Sequence, residues 1–143
     1  LFCSFFVFEH IDQPELLWDE LSKLEKGTLL YFAVPLYGFS VLFDELCKTH
    51  SPRRFDAWNH TQLYTEESLK YLREKFGFKT IAEWRFGQDF EDLLISANLI
   101  VGDANSKVEK RILKSMRDTI DSLQIALDKS FISDAIHLIW QKN

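Results

Sequence analysis

Two short apolar runs, Leu1 to Phe8 and Thr28 to Val34, flank a single amphipathic segment with short joints on either side. No other feature constrains the fold as much. The first run is apolar at nearly every position, which suits a central parallel strand covered on both faces. The segment between the runs reads as a helix. Asp12 is placed as an N-cap, with Glu15 three residues on as in a capping box and Pro14 in the first turn. Leu17, Leu21 and Leu24 recur at i, i+4 and i+7, so one helix face is apolar. Acidic Glu15, Asp19 and Glu20 come early and Lys23 and Lys26 late, matching the helix dipole, and Gly27 ends the segment. Strand, helix and strand in this order, with joints this short, predict a right-handed parallel crossover.

The rest of the chain extends the pattern. Pro35 stops the second strand, and residues 35–64 form an irregular, aromatic-rich stretch with a short helix over Ser40 to Lys48. Thr65 caps a helix buried through Leu69, Leu72 and Phe76, and Gly77 closes it. Lys79 to Phe86 has the residue types of a strand. A helix follows over Gln88 to Ile100, then a turn over Gly102 to Asn105. One long helix is expected from Ser106 to Lys129, with Val108, Ile112, Met116, Ile120, Leu123 and Leu127 on one stripe. Ala135 to Gln141 is the last strand. This order predicts an α/β three-layer sandwich, built like the second half of a larger sheet.

A chain of 143 residues suits one domain and can bury a core. Its formal net charge of -5, with scattered basic residues, argues against nucleic-acid binding, which needs Lys and Arg on phosphates. Cys3 and Cys47 lie far apart among apolar neighbours, so both are expected to be reduced, buried thiols in a cytoplasmic protein. The run from Leu1 to Phe8 is far short of the roughly 20 residues of a membrane helix, so no membrane partner is expected. Leu1 is not an initiator Met, and the opening in mid-strand suggests a fragment.

Four pieces, "FFVFEHI", "LEKGTLLYFAVP", "WNHTQLYTEESLKYLREKFGFKTIAEWRFGQD" and "IDSLQIALDKSFISDAIHLIWQK", resemble in order and spacing the C-terminal half of class I S-adenosylmethionine-dependent methyltransferases. The resemblance covers nearly the whole chain. It implies a partial Rossmann-like sheet made of strands four to seven, with the last strand antiparallel and inserted between the fifth and sixth. It implies one domain portion over residues 1–143, with 35–64 as an acceptor-side loop or lid. It further implies S-adenosylmethionine as cofactor and methyl transfer to the O, N or C atom of a small-molecule acceptor. The family's Gly-rich cofactor turn has no counterpart here, because Gly27, Gly38, Gly77, Gly87 and Gly102 form no cluster. The chain alone is therefore expected to be inactive. The alternative is a non-catalytic fragment or scaffold, with a possible homodimer formed through an exposed sheet edge.

Strand ends supply the first site residues, because ligands of open α/β sheets sit beyond the carboxyl ends of parallel strands, and the resemblance implies the rest in the aromatic loop. Phe8, Glu9 and His10 stand at such an end and, by the resemblance, border the cofactor. His10 and His60 are the candidate bases, since imidazole titrates near neutrality. Tyr37, Trp58, His60 and Tyr64 are the candidate acceptor-binding residues, with Phe39 and Phe55 nearby. No metal-ligand spacing is present. His50 and His137 read as structural, as do Gln124, Asp128 and Asp134, whose spacing suits helix-end and turn hydrogen bonds. Asp89, Glu91 and Asp92 read as a solvated first helical turn.

Overall fold

The computed structural model describes residues 1–47, 60–101 and 107–143. Four strands, β1 (Phe2–Phe5), β2 (Leu29–Pro35), β3 (Phe78–Arg85) and β4 (Ala135–Lys142), form one sheet in the order β1-β2-β4-β3. β1 is parallel to β2, and β4 is antiparallel to both β2 and β3. The last strand thus inserts between the second and third, as the resemblance implied.

Helices α1 (Pro14–Ser22) and α3 (Glu66–Lys75) share one core with a single face of the sheet. Trp18 is the centre of that core, with ring centroids 5.5 Å from Phe8, 5.7 Å from Trp140 and 6.0 Å from Phe76. Burying a ring of this size stabilises by roughly 2–3 kcal/mol. Helix α3 begins as its sequence predicts. The Thr65 hydroxyl accepts from the Ser68 backbone, and the Ser68 hydroxyl accepts from the Thr65 N–H. It ends at Gly77, whose φ of 71° suits a residue without Cβ.

Several local expectations fail for identifiable reasons. β1 stops at Phe5 rather than Phe8, because Phe6 takes a left-handed φ of 53° and Phe8–His10 form a 3-10 turn. β1 is also the edge of this sheet, so Phe2 and Phe5 are exposed rather than covered on both faces. Cys3 on the same strand is exposed, not buried. The N-cap of α1 is Gln13, without a side-chain cap, and not Asp12. Pro14 at the first helical position fixes the start, and a residue before proline is held out of the α region. The long helix expected over Ser106 to Lys129 is two helices, α5 (Lys107–Arg117) and α6 (Ile120–Lys129). At the break, the Thr119 N–H and hydroxyl both donate to the Met116 carbonyl, closing a tighter turn. Its apolar stripe does not reach the core, and Val108 and Ile112 are exposed.

Helices α2 (Phe39–Cys47), α4 (Asp89–Val101) and α6 are joined to the start of β4 by a buried polar cluster. The Asp89 carboxylate accepts from the backbone N–H of Ser40 (2.9 Å) and of Asp134 (2.9 Å), and from the Gln124 amide (3.2 Å). The Asp134 carboxylate accepts from the Gln88 N–H (2.8 Å) and the Ser40 hydroxyl (3.2 Å). Asp128 accepts from the Gly87 N–H (3.0 Å). Gly38 is required here, since a Cβ would stand 2.5 Å from the Asp134 backbone. Gln124, Asp128 and Asp134 thus make the helix-end and turn bonds that their spacing predicts. Asp89 and Asp92 are not solvated, because the N-terminus of α4 faces inward onto this cluster.

Candidate functional site

The 3-10 turn places Phe8, Glu9 and His10 just beyond the carboxyl end of β1. Residues 60–64 cross above the ends of β1 and β2 and are bonded to the segments that follow each strand. The Thr61 N–H donates to the Glu9 carbonyl (2.8 Å), and its hydroxyl lies 3.0 Å from that carbonyl and 2.9 Å from the Ile11 carbonyl. The Gln62 amide donates to the Phe8 carbonyl (2.8 Å). Further along, Tyr64 bridges Leu36 in parallel, and the Tyr37 N–H donates to the Tyr64 carbonyl (2.9 Å). Two segments fifty residues apart in sequence therefore form one rim.

This clamp brings His60 against the tip of β1. The His10 and His60 rings are 4.9 Å apart between centroids. The Glu9 carboxylate is buried, and its Oε1 lies 3.8 Å from His10 Nε2. One ligand-type atom from each of Glu9, His10 and His60 falls within 4.8 Å of the other two. The His10 side chain is 42% exposed, so the group is open to solvent on one side and dry on the other.

The remaining expected residues fall into three positions. The Phe8 ring lies in the core, 5.3 Å from Phe32, so it supports the rim from below. Tyr64 is buried beneath the rim. Burial pushes its phenol well above the ordinary value of 10, the Trp18 indole opposes this, and the Glu9 charge adds to the rise. Its hydroxyl therefore stays protonated throughout the physiological range. Tyr37 is exposed at the end of β2. Trp58, Phe55 and His50 lie outside the described residues. A cleft of about 310 Å³ between α1 and α3 is bordered by Trp18, Gln62 and Tyr64.

His137 is structural in its surroundings. It stacks on Trp84 with centroids 5.3 Å apart, and burial lowers its pKa below the ordinary 6.5. Sequence reasoning missed Thr61 and Gln62, the residues that make the rim one unit. Neither carries a periodic or motif signal; their only mark is a position just before the Thr65 cap. No helix among the described residues is long and apolar enough to cross a membrane.

No family model and no curated protein sequence matches this chain. Solved structures do. A protein named as a sarcosine dimethylglycine methyltransferase from Galdieria sulphuraria matches 99% of this chain and 52% of its own, at 9% identity and a TM-score of 0.52. Phosphoethanolamine N-methyltransferase 2 of Haemonchus contortus, solved with S-adenosyl-L-methionine, matches 98% of this chain and 32% of its own, at 18% identity and a TM-score of 0.51. A cyclopropane synthase from Mycobacterium tuberculosis matches 98% and 54%, at 14% identity and a TM-score of 0.50. The chain thus carries the fold of part of a methyltransferase, and it spans from about a third to about half the length of these proteins.

Proposed function

We propose that this chain forms the acceptor-side part of an S-adenosylmethionine-dependent methyltransferase acting on a small molecule. The observation that carries the reading is the Glu9, His10 and His60 cluster at the carboxyl ends of the parallel pair β1 and β2. In this fold class that end is where ligands bind. The fold shared with three methyl- or methylene-handling proteins supplies the class of chemistry.

The residues present fit the donor in part. His10 and Tyr37 are exposed at the rim, and an aromatic face attracts a sulfonium cation. The 143 residues contain no Gly-rich turn for the rest of the molecule. When bound, S-adenosylmethionine supplies an electrophilic methyl group. His10 or His60 takes the proton from an acceptor hydroxyl or amine. Thr61 and Gln62 hold the two histidines in register. Residues 35–64 act as the acceptor-side cover, with Trp58 and Tyr64 as part of its wall.

The test is methyl transfer by the protein carrying this sequence, measured with labelled donor. His60→Ala and His10→Ala should each reduce turnover by about 100-fold if that residue is the base. Unchanged turnover in both variants would remove the proposed chemistry. Calorimetric titration with the donor tests the cofactor half: heat on binding to the 143 residues alone would show that no Gly-rich partner is needed.

A second reading is supported by the edge position of β1, where Phe2 and Phe5 are exposed. Such an edge can pair with a second copy. In that case the chain is a self-associating, non-catalytic scaffold, and light scattering would give twice the chain mass with no donor binding.

A further inference from the structure

We propose that Glu9, His10 and His60 form a site for a divalent first-row transition ion, with Zn2+ the leading occupant. The donor set is two imidazoles and one carboxylate, on two chain segments that meet only in the fold. Two nitrogens and one oxygen suit the borderline-soft ions rather than Mg2+ or Ca2+, which prefer all-oxygen shells. Three protein ligands leave a position for water or substrate, as in catalytic rather than structural zinc sites.

The geometry is near what an ion needs. Metal–ligand distances of about 2.1 Å put the ligands of a tetrahedral ion roughly 3.4 Å apart. The pair Glu9 Oε1 and His10 Nε2 is at 3.8 Å, and all three donors lie within 4.8 Å. Closing the remainder takes about an ångström of side-chain rotation at His10, whose side chain lies on the solvent side. The backbone that carries the donors is already fixed. Thr61, next to His60, is bonded to the carbonyls of Glu9 and Ile11, on either side of His10. Glu9 is buried and supplies negative charge from the dry side, while His10 leaves an entry path from solvent. Sequence spacing gave no hint of this, because Glu9-His10 and His60 match no metal motif. An ion here occupies the lone pairs that the proton-transfer step uses, so acceptor activation would become Lewis-acid polarisation.

The site is the one used by the methyl-transfer reading, but the ion is scored without any methyl donor, so the two fail separately. The full chain, freed of metal, is titrated with Zn2+ by calorimetry and with Co2+ by visible absorption. One ion per chain is expected, with Co2+ bands of a four- or five-coordinate nitrogen and oxygen site. His10→Ala and His60→Ala should each weaken Zn2+ binding by at least about 100-fold, and Thr61→Val by about 10-fold through the lost clamp. Glu9→Gln tests the third ligand, with circular dichroism showing that the variant folds; if it does not, the two histidine variants decide. Absence of stoichiometric binding overturns the proposal. So does binding that survives both histidine variants, or that is lost in His50→Ala instead.

Discussion

Two polar clusters flank the same end of the sheet, the carboxyl end of β2, and are built on opposite plans. At the cluster of Asp89 and Asp134, carboxylate oxygens accept from backbone N–H groups of three elements. At the rim, the imidazoles of His10 and His60 come close to the Glu9 carboxylate, which also acts on the Tyr64 phenol. The first arrangement leaves its carboxylates little capacity for anything but holding helices in place. The second sets imidazoles beside a buried carboxylate, on a face that solvent reaches through His10. The Thr61 and Gln62 bonds in the rim act on backbone carbonyls. A buried acid is therefore read by what surrounds it: backbone donors mark architecture, and neighbouring imidazoles mark chemistry.

The comparison can be broken most directly at Asp89. Asp89→Ala strands buried donors on Ser40 and Asp134 and should cost about 3 kcal/mol in a denaturant titration. A loss under about 0.5 kcal/mol would erase the architectural role. The rim should respond the other way. His60→Ala should reduce turnover by about 100-fold while leaving stability within about 0.5 kcal/mol. Thr61→Val tests the clamp between them and should cost about 1 kcal/mol, since the hydroxyl bonds go and the backbone bond remains. Thr65→Ala, which removes the α3 cap just after the rim segment, should also cost about 1 kcal/mol.

The smallest effects are in pH. Burial, then the Asp134 charge, raises the Asp89 pKa above the ordinary 3.8, against the pull of its hydrogen bonds. The folded chain then keeps a proton that the unfolded chain has lost, so this group's contribution to stability falls as pH rises from 3.8 through the raised value. His137 has the opposite sign. Burial lowers its pKa, so the unfolded chain binds the proton first, and stability falls as pH drops below 6.5. Unfolding measured against pH in Asp89→Asn and His137→Phe should remove one slope each and leave the other.

The same division separates what was legible from what was not. Periodicity and turn chemistry placed α3 to within a residue, because its cap and closing glycine act within a few residues of one another. The resemblance placed β4 between β2 and β3. Local signals failed where two of them competed, as at Asp12 against Pro14, or where a tight turn outweighed a stripe, as at Thr119. The carboxylates of Asp89 and Asp92 look alike in sequence to any exposed first turn, since nothing local says which way a helix end faces.

The sequence by itself determined the element types, the crossover from β1 to β2 and the presence of an acid and an imidazole after the first strand. Those depend on side-chain spacing and capping within one or two turns of chain. Tertiary structure alone decided that His60 joins Glu9 and His10, and that Asp89 is buried against Asp134. Each of those pairings spans tens of residues, and its free energy comes from excluding water between segments that have no local tie.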